Sequence, residues 1–300
     1  KAGETITTPL ALTGIFDGDI DDMGNTITDF QYRYKWDATN DDYFNKANAF
    51  DLLGYQNKQA YDYTPNVFMT TANNRYLGVE INVIDDFWYD RKGDWNSVDS
   101  ENFSDFNTYI KKNGQQMCVW SAPWQVQPGA AVLESHPEWQ IKNDNDYWYN
   151  YHLDQSNPDV IEWERNLMDG FQEQWGSHML KYDGEPMWPN GNTTGDPMHI
   201  SSPSCDNHML EASNRWLSLL RDFKTEHPNA GVYTCSSGGE LMMIETLRYA
   251  EVTSTSDGKV GDINGYWNSL LFPIDKLMQG GYQWDETAYS KAKRWDLRFS

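Results

Sequence analysis

The chain has 300 residues, 39% of them hydrophobic and 15% aromatic, and a formal net charge of −22. That apolar fraction supports a sizeable core and excludes wholesale disorder, and the length suits a single α/β barrel. The acidic excess repels phosphate backbones and anionic lipid surfaces, which excludes nucleic-acid and membrane partners and suits solubility in salt or outside the cell, secreted or periplasmic.

The 3 cysteines, Cys118, Cys205 and Cys235, form no disulfide framework and no CxxC pair. No apolar run approaches the length of a membrane span. The sequence opens at Lys1 without a signal peptide, so any targeting segment lies outside it.

Residues 1–30 are polar and read as a solvated acidic loop. Asp17, Asp19 and Asp21 alternate as in a calcium loop, but Asp22 stands where the turn glycine belongs and no closing Glu follows. The stretch from Asn40 through Leu53 predicts a helix stopped at Gly54. Candidate strands follow at Asn66–Thr70, Gly78–Ile84, Gln116–Trp120, Met179–Tyr182, Ala230–Thr234 and Glu251–Ser254. Between them lie candidate helices Ser104–Asn113, Asp159–Gln174, Leu210–Glu226 and Gly239–Arg248. This alternation predicts an α/β fold, a TIM-type (β/α)8 barrel, incomplete in the stretch given, with 1–60 as a lead-in segment and 61–300 as the barrel.

The residues just past each strand point to chemistry. Ile84 leads to Asp85 and Asp86, Trp120 to SAPW, Leu180 to Lys181-Tyr-Asp183, Tyr233 to CSSGG, and Thr253 to STSD ending at Asp257. Barrel enzymes build their sites at these C-terminal strand ends. Two carboxylates meeting over one barrel mouth, Asp183 and Asp257, supply what glycoside hydrolysis needs: one attacks the anomeric carbon or activates water, the other protonates the leaving oxygen. Their separation decides between retention, at about 5–5.5 Å, and inversion, at about 6.5–9.5 Å. Lys181 shares the strand face of Asp183, where an ammonium holds a carboxylate ionised. The pair Asp85–Asp86 suits vicinal sugar hydroxyls, and Gly238 and Gly239 let the backbone approach a ligand. An ordinary ion pair, helix caps and a plain turn would explain the same residues structurally.

In order along the chain, LGVEINVIDDFWYDRKGDW (77–95), GQQMCVWSAPWQVQPGAAVLESHPEW (114–139), LDQSNPDV (153–160), MLKYDGE (179–185), CSSGG (235–239) and TSD (255–257) resemble glycoside hydrolase family 36, the α-galactosidases and α-N-acetylgalactosaminidases. The resemblance runs from about residue 31 to the end. It implies a retaining hydrolase in which Asp183 is the nucleophile and Asp257 the acid/base. Asp85 and Asp86 would take the O4 and O6 hydroxyls, Lys181 a neighbouring hydroxyl, Trp120 a pocket wall, and Cys235 and Gly238 the surroundings of C2. It implies no metal or organic cofactor, and an oligosaccharide or glycoconjugate as partner, with galactose against N-acetylgalactosamine and oligomeric state left open.

The chain departs from the family where Ala122-Pro123-Trp124 replaces E-P-E, where Thr255 replaces an aromatic, and where Glu240 and Leu241 replace Gly and Arg. The family's flanking β-domains are not visible, so the chain reads as a segment of a longer parent or an unusually trimmed member, and RWDLRFS as the approach to the last barrel strand. Two rivals stand beside this reading. One is a non-catalytic carbohydrate-binding barrel, to which two opposed acids would be superfluous. The other is a metal-dependent hydrolase using Asp85, Asp86 and His136 or His178, disfavoured because the 6 histidines show no HxH or HExxH spacing.

Overall fold

The computed structural model describes residues 11–36, 49–53, 74–86, 88–95, 100–142, 151–176, 178–184, 208–239, 241–256, 261–279 and 295–298. Asp257, Glu240, Cys205 and the candidate strand Asn66–Thr70 lie outside them.

The barrel strands are β1 (Ala49–Leu53), β2 (Ile81–Ile84), β3 (Gln116–Ser121), β7 (Met179–Tyr182), β8 (Gly231–Thr234), β9 (Val252–Ser254), β10 (Leu277–Gln279) and β11 (Trp295–Arg298). They close in the order β1-β11-β10-β9-β8-β7-β3-β2. The pairings β1–β2, β2–β3, β3–β7, β7–β8, β8–β9 and β9–β10 are parallel. The closing strand β11 runs antiparallel to both β1 and β10, so the circle departs there from eight parallel strands. RWDLRFS thus contributes a strand itself. A separate antiparallel sheet joins β4 (Gln125–Val126), β5 (Gln140–Lys142) and β6 (Tyr151–Leu153) in the order β4-β6-β5.

Alternation along each strand divides the core. Ile81, Val83, Cys118, Met179, Tyr233, Val252 and Met278 form one buried cluster inside the barrel. The intervening Ile84, Val119, Leu180, Tyr182 and Val232 face outward into a larger cluster with the helices. Helix α1 (Ile20–Tyr34) precedes the barrel, α2 (Ser100–Lys112) follows β2, α3 (Pro158–Trp175) precedes β7, and α4 (His208–Glu226) precedes β8. Phe103, Phe106 and Ile110 of α2, Met168, Phe171 and Trp175 of α3, and Trp216, Leu220 and Phe223 of α4 fill that outer layer. Their three- and four-residue spacing is the apolar stripe that makes each helix amphipathic.

Three expectations change. The acidic run is not an extended loop. Asp19 caps α1, accepting from the backbone N–H groups of Asp21 and Asp22, while the Asp22 carboxylate accepts from Asp19 N, so these acids serve the positive end of a helix. Ala49–Leu53 is the first barrel strand rather than the end of a helix, because its apolar residues pair with β2. The single helix expected over Gly239–Arg248 is two separate turns, Ser236–Gly239 and Ile244–Leu247. Gly239, at φ +125°, ends the first of these turns.

Candidate active site

The parallel strands deliver their C-terminal ends to one mouth. Asp85 and Asp86 follow β2, Trp120 lies near the end of β3, Asp183 follows β7, and Cys235 follows β8. Register sets Trp120, Lys181 and Tyr233 at one level across β3, β7 and β8. The ladder continues past the strands, with Asp183 N donating to Ser121 O at 2.9 Å and Cys235 N to Tyr182 O at 2.8 Å. Period-two alternation puts Met179, Lys181 and Asp183 on the inner face together.

At the centre is a buried ammonium between two carboxylates. Lys181 Nζ lies 2.8 Å from Asp85 Oδ2 and 3.3 Å from Asp183 Oδ2. The Lys181 and Asp85 side chains are 4% and 0% exposed, whereas Asp183 keeps 14%, so the carboxylate that opens to the mouth is Asp183. Burial by itself would lower the Lys181 pKa. The carboxylate of Asp85, followed by Cys235 and Asp183, outweighs that and holds the lysine well above its ordinary value. Burial pushes the Asp85 carboxyl up, and Lys181 opposes the shift. With an ammonium at 2.8 Å the pair is ionic.

Asp183 is fixed at both oxygens. Oδ1 accepts from Gly184 N at 2.8 Å, and Oδ2 accepts from the Trp120 indole N–H at 3.0 Å. Asp85 Oδ1 accepts from Asp86 N at 2.9 Å, and Tyr89 O–H donates to Asp86 Oδ1. Tyr89 also stacks on Trp120 with centroids 5.9 Å apart, and Trp95 packs at 6.1 Å. Cys235 is fully buried on the barrel interior, and Tyr233 O–H lies 2.6 Å from Ser254 Oγ. Gly238 lies in the turn after β8. At the next residue, Gly239, an added Cβ would stand 2.9 Å from Ser254 O, so a side chain there would meet the backbone.

The structure gathers Asp85, Asp86, Trp120, Lys181, Asp183 and Cys235 at one end of the barrel, with Gly238 in the adjoining turn. Sequence reasoning missed Tyr89, Lys92, Trp95 and Gln125 around Trp120. Their signal was weak: Tyr89 falls three residues after Asp86 in a loop, where no periodicity assigns a direction. Trp124 forms no open wall. It is fully buried, stacked on Tyr182 at 6.1 Å and edge-on to Trp216 at 6.5 Å. The histidines of the metal reading sit elsewhere. His136 stacks on Trp139 at 3.9 Å, and buried His178 has Nδ1 2.7 Å from Gly176 O. Among the described residues, the group of His, Cys, Asp or Glu with ligand atoms within 4.8 Å of one another is Asp169 of α3, Glu226 at the end of α4 and His227 just past it.

The family model described as Melibiase matches residues 5–280. The chain belongs to the Melibiase family. It is 22% identical over 203 residues to an alpha-galactosidase of Escherichia coli, covering 63% of the chain and 27% of that protein. The GH36 alpha-galactosidase AgaA of Geobacillus stearothermophilus superposes with a TM-score of 0.72 at 18% identity, over 87% of this chain and 38% of that one. An alpha-galactosidase from Lactobacillus brevis gives 0.66 at 19% identity, over 86% and 36%. This Melibiase chain thus spans well under half the length of these relatives. The structural likeness establishes the barrel fold, and the family match establishes membership of the Melibiase family.

Proposed function

We propose that the chain is the catalytic barrel of a retaining α-glycoside hydrolase acting on terminal α-linked galactose or N-acetylgalactosamine. The observation that carries the reading is the state of Asp183: a carboxylate at the barrel mouth, partly open, with both oxygens oriented by N–H donors and an ammonium 3.3 Å away. Donors of that kind stabilise the charged form and fix its direction, as a nucleophile requires. The AgaA relative has been solved in variant form with stachyose and with raffinose, which supports a galactosyl oligosaccharide as the substrate class.

Asp183 attacks the anomeric carbon as the bond to the leaving oxygen breaks, and Asp257 gives that oxygen its proton. Water then attacks the same carbon, yields a proton to Asp257 and releases Asp183, so two inversions give net retention. Asp85 and Asp86 accept from the O4 and O6 hydroxyls, and Lys181 donates to a neighbouring one. Trp120 lines the wall, with Cys235 and Gly238 beside the C2 substituent. Because Lys181 already bridges Asp85 and Asp183, sugar binding and nucleophile charge are coupled through one ammonium.

The test is hydrolysis of aryl α-glycosides (galactoside, N-acetylgalactosaminide, galactosaminide and glucoside), with the anomeric form of the first product read by NMR. Asp183→Asn is expected to abolish turnover, while Asp257→Ala harms poor leaving groups far more than activated aryl glycosides. Wild-type rates in both variants on a natural glycan would defeat the proposal. Sugar binding with no turnover in the unmodified chain would favour a binding barrel.

A further inference from the structure

Lys92 is a second buried cation beside this site, assigned no part by the reaction above. It is 7% exposed, on the loop after β2. Its Nζ stands 5.0 Å from the centroid of the Trp120 ring, over the face of the same indole whose N–H holds Asp183 Oδ2. It also donates to Gln125 Oε1 at 2.7 Å. Gln125 is 1% exposed, and its side chain fills the space beside Gly184, where an added Cβ would meet it at 2.6 Å. The Lys92 backbone is pinned as well: its N–H donates to Gln127 Oε1 at 3.1 Å, and its carbonyl accepts from Gln127 N at 2.9 Å. Burying an ammonium is costly, and here Gln125 Oε1 and the Trp120 ring face receive it while Gln127 fixes the backbone that carries it.

We infer that Lys92 is a positioning residue for Asp183, acting through Trp120. A cation on the face of an indole draws on its π density and makes the ring N–H a stronger donor. A stronger donor on Oδ2 favours the ionised carboxylate and fixes its direction. Gln125 keeps the ammonium over the ring and braces Gly184, whose N–H holds the other oxygen, so one lysine influences both contacts. Other described charged or titratable groups near this carboxylate include Lys181 on its own strand, Asp85 and Asp86 after β2, Tyr89 on the loop beyond them, Cys118 on β3, and Tyr233 and Cys235 on β8 and beyond. All of them are unchanged by a substitution at Lys92. The inference rests on Asp183 being the reacting carboxylate, and its test separates the two.

The Trp120 indole N–H resonance, assigned by its loss in Trp120→Phe, is followed against pH in the full chain by 15N-TROSY. Its titration step should vanish in Asp183→Asn, marking it as a report on that carboxylate. In Lys92→Met the midpoint is expected to rise by about half a pH unit or more, and in Lys92→Arg to stay near wild type. Gln125→Met, which releases the ammonium without removing it, should give a smaller upward shift and serves if Lys92→Met fails to fold. The acid limb of kcat/KM should move with the resonance. An unchanged midpoint in folded Lys92→Met or Gln125→Met overturns the inference even if Asp183→Asn is inactive. A shifted midpoint in a chain that hydrolyses none of the glycosides would instead keep the positioning and refute the enzymatic reading.

Discussion

Glu164 offers a sharp test of how this fold handles charge. It lies on α3 with no exposure, its Oε2 accepts from Gln155 Nε2 at 3.0 Å, and its Oε1 has no hydrogen-bond partner among the described residues. Burial raises its pKa from 4.5 to about 8, only partly offset by the Gln155 hydrogen bond. The folded chain therefore holds a proton that the unfolded chain releases. The sign follows from linkage: stability is full below pH 4.5, falls as pH rises from 4.5 to about 8, and levels off above. At about 1.4 kcal/mol per pH unit, that window is worth about 5 kcal/mol as a ceiling, and water penetration reduces it. Glu164→Gln keeps the shape and cannot ionise. Urea unfolding at several pH values is the assay, comparing midpoints at a common slope. The variant should exceed wild type by about 2–5 kcal/mol at pH 8.5, with the gap closing to under about 1 kcal/mol at pH 5. A gap that does not change with pH, or a wild type more stable at pH 8.5, would refute the reasoning.

Three further outcomes rest on other residues. His178 is buried and its pKa is driven down to about 4, so its depressed pKa contributes stability above pH 6.5 that is lost as pH falls towards 4; NMR should find its imidazole neutral at pH 5.5, and a protonated ring there would contradict the burial argument. Trp120→Phe keeps an aromatic ring but deletes the donor to Asp183, and should lower kcat/KM about tenfold to a hundredfold with an unchanged circular dichroism spectrum; a wild-type rate would show that the 3.0 Å bond is dispensable. Gly239→Ala meets both a φ of +125° and Ser254 O at 2.9 Å, so it should cost about 2 kcal/mol or more of stability, and equal thermal midpoints would count against the strain.

Much of the barrel was readable along the chain. Met179–Tyr182 was delimited as the structure has it, and the helices Pro158–Trp175 and His208–Glu226 differ from expectation by no more than two residues at either end. Those segments have a strong period, of two or of three to four, and tertiary packing reinforces it. The failures were local. The helix over Asn40–Leu53 rested on local start and stop signals; residues 40–48 lie outside the described residues, and Ala49–Leu53 is held as a strand by neighbours distant in sequence. The helix over Gly239–Arg248 failed at its first residue, Gly239, whose positive φ no periodicity reports.

The candidate site divides in the same way. Asp85, Asp86, Lys181 and Asp183 stood out because each lies at the end of an apolar run, and a parallel sheet must bring such ends together. The sequence by itself therefore determined the fold class, the side of the barrel that carries polar chemistry, and the shared strand face of Lys181 and Asp183. Only the tertiary structure decided that Lys181 bridges Asp85 and Asp183, that the Trp120 N–H holds Asp183, and that Lys92 covers Trp120. Those contacts join different strands and loops, and their distances depend on strand register and on closure of the sheet, which one strand's residues cannot encode alone.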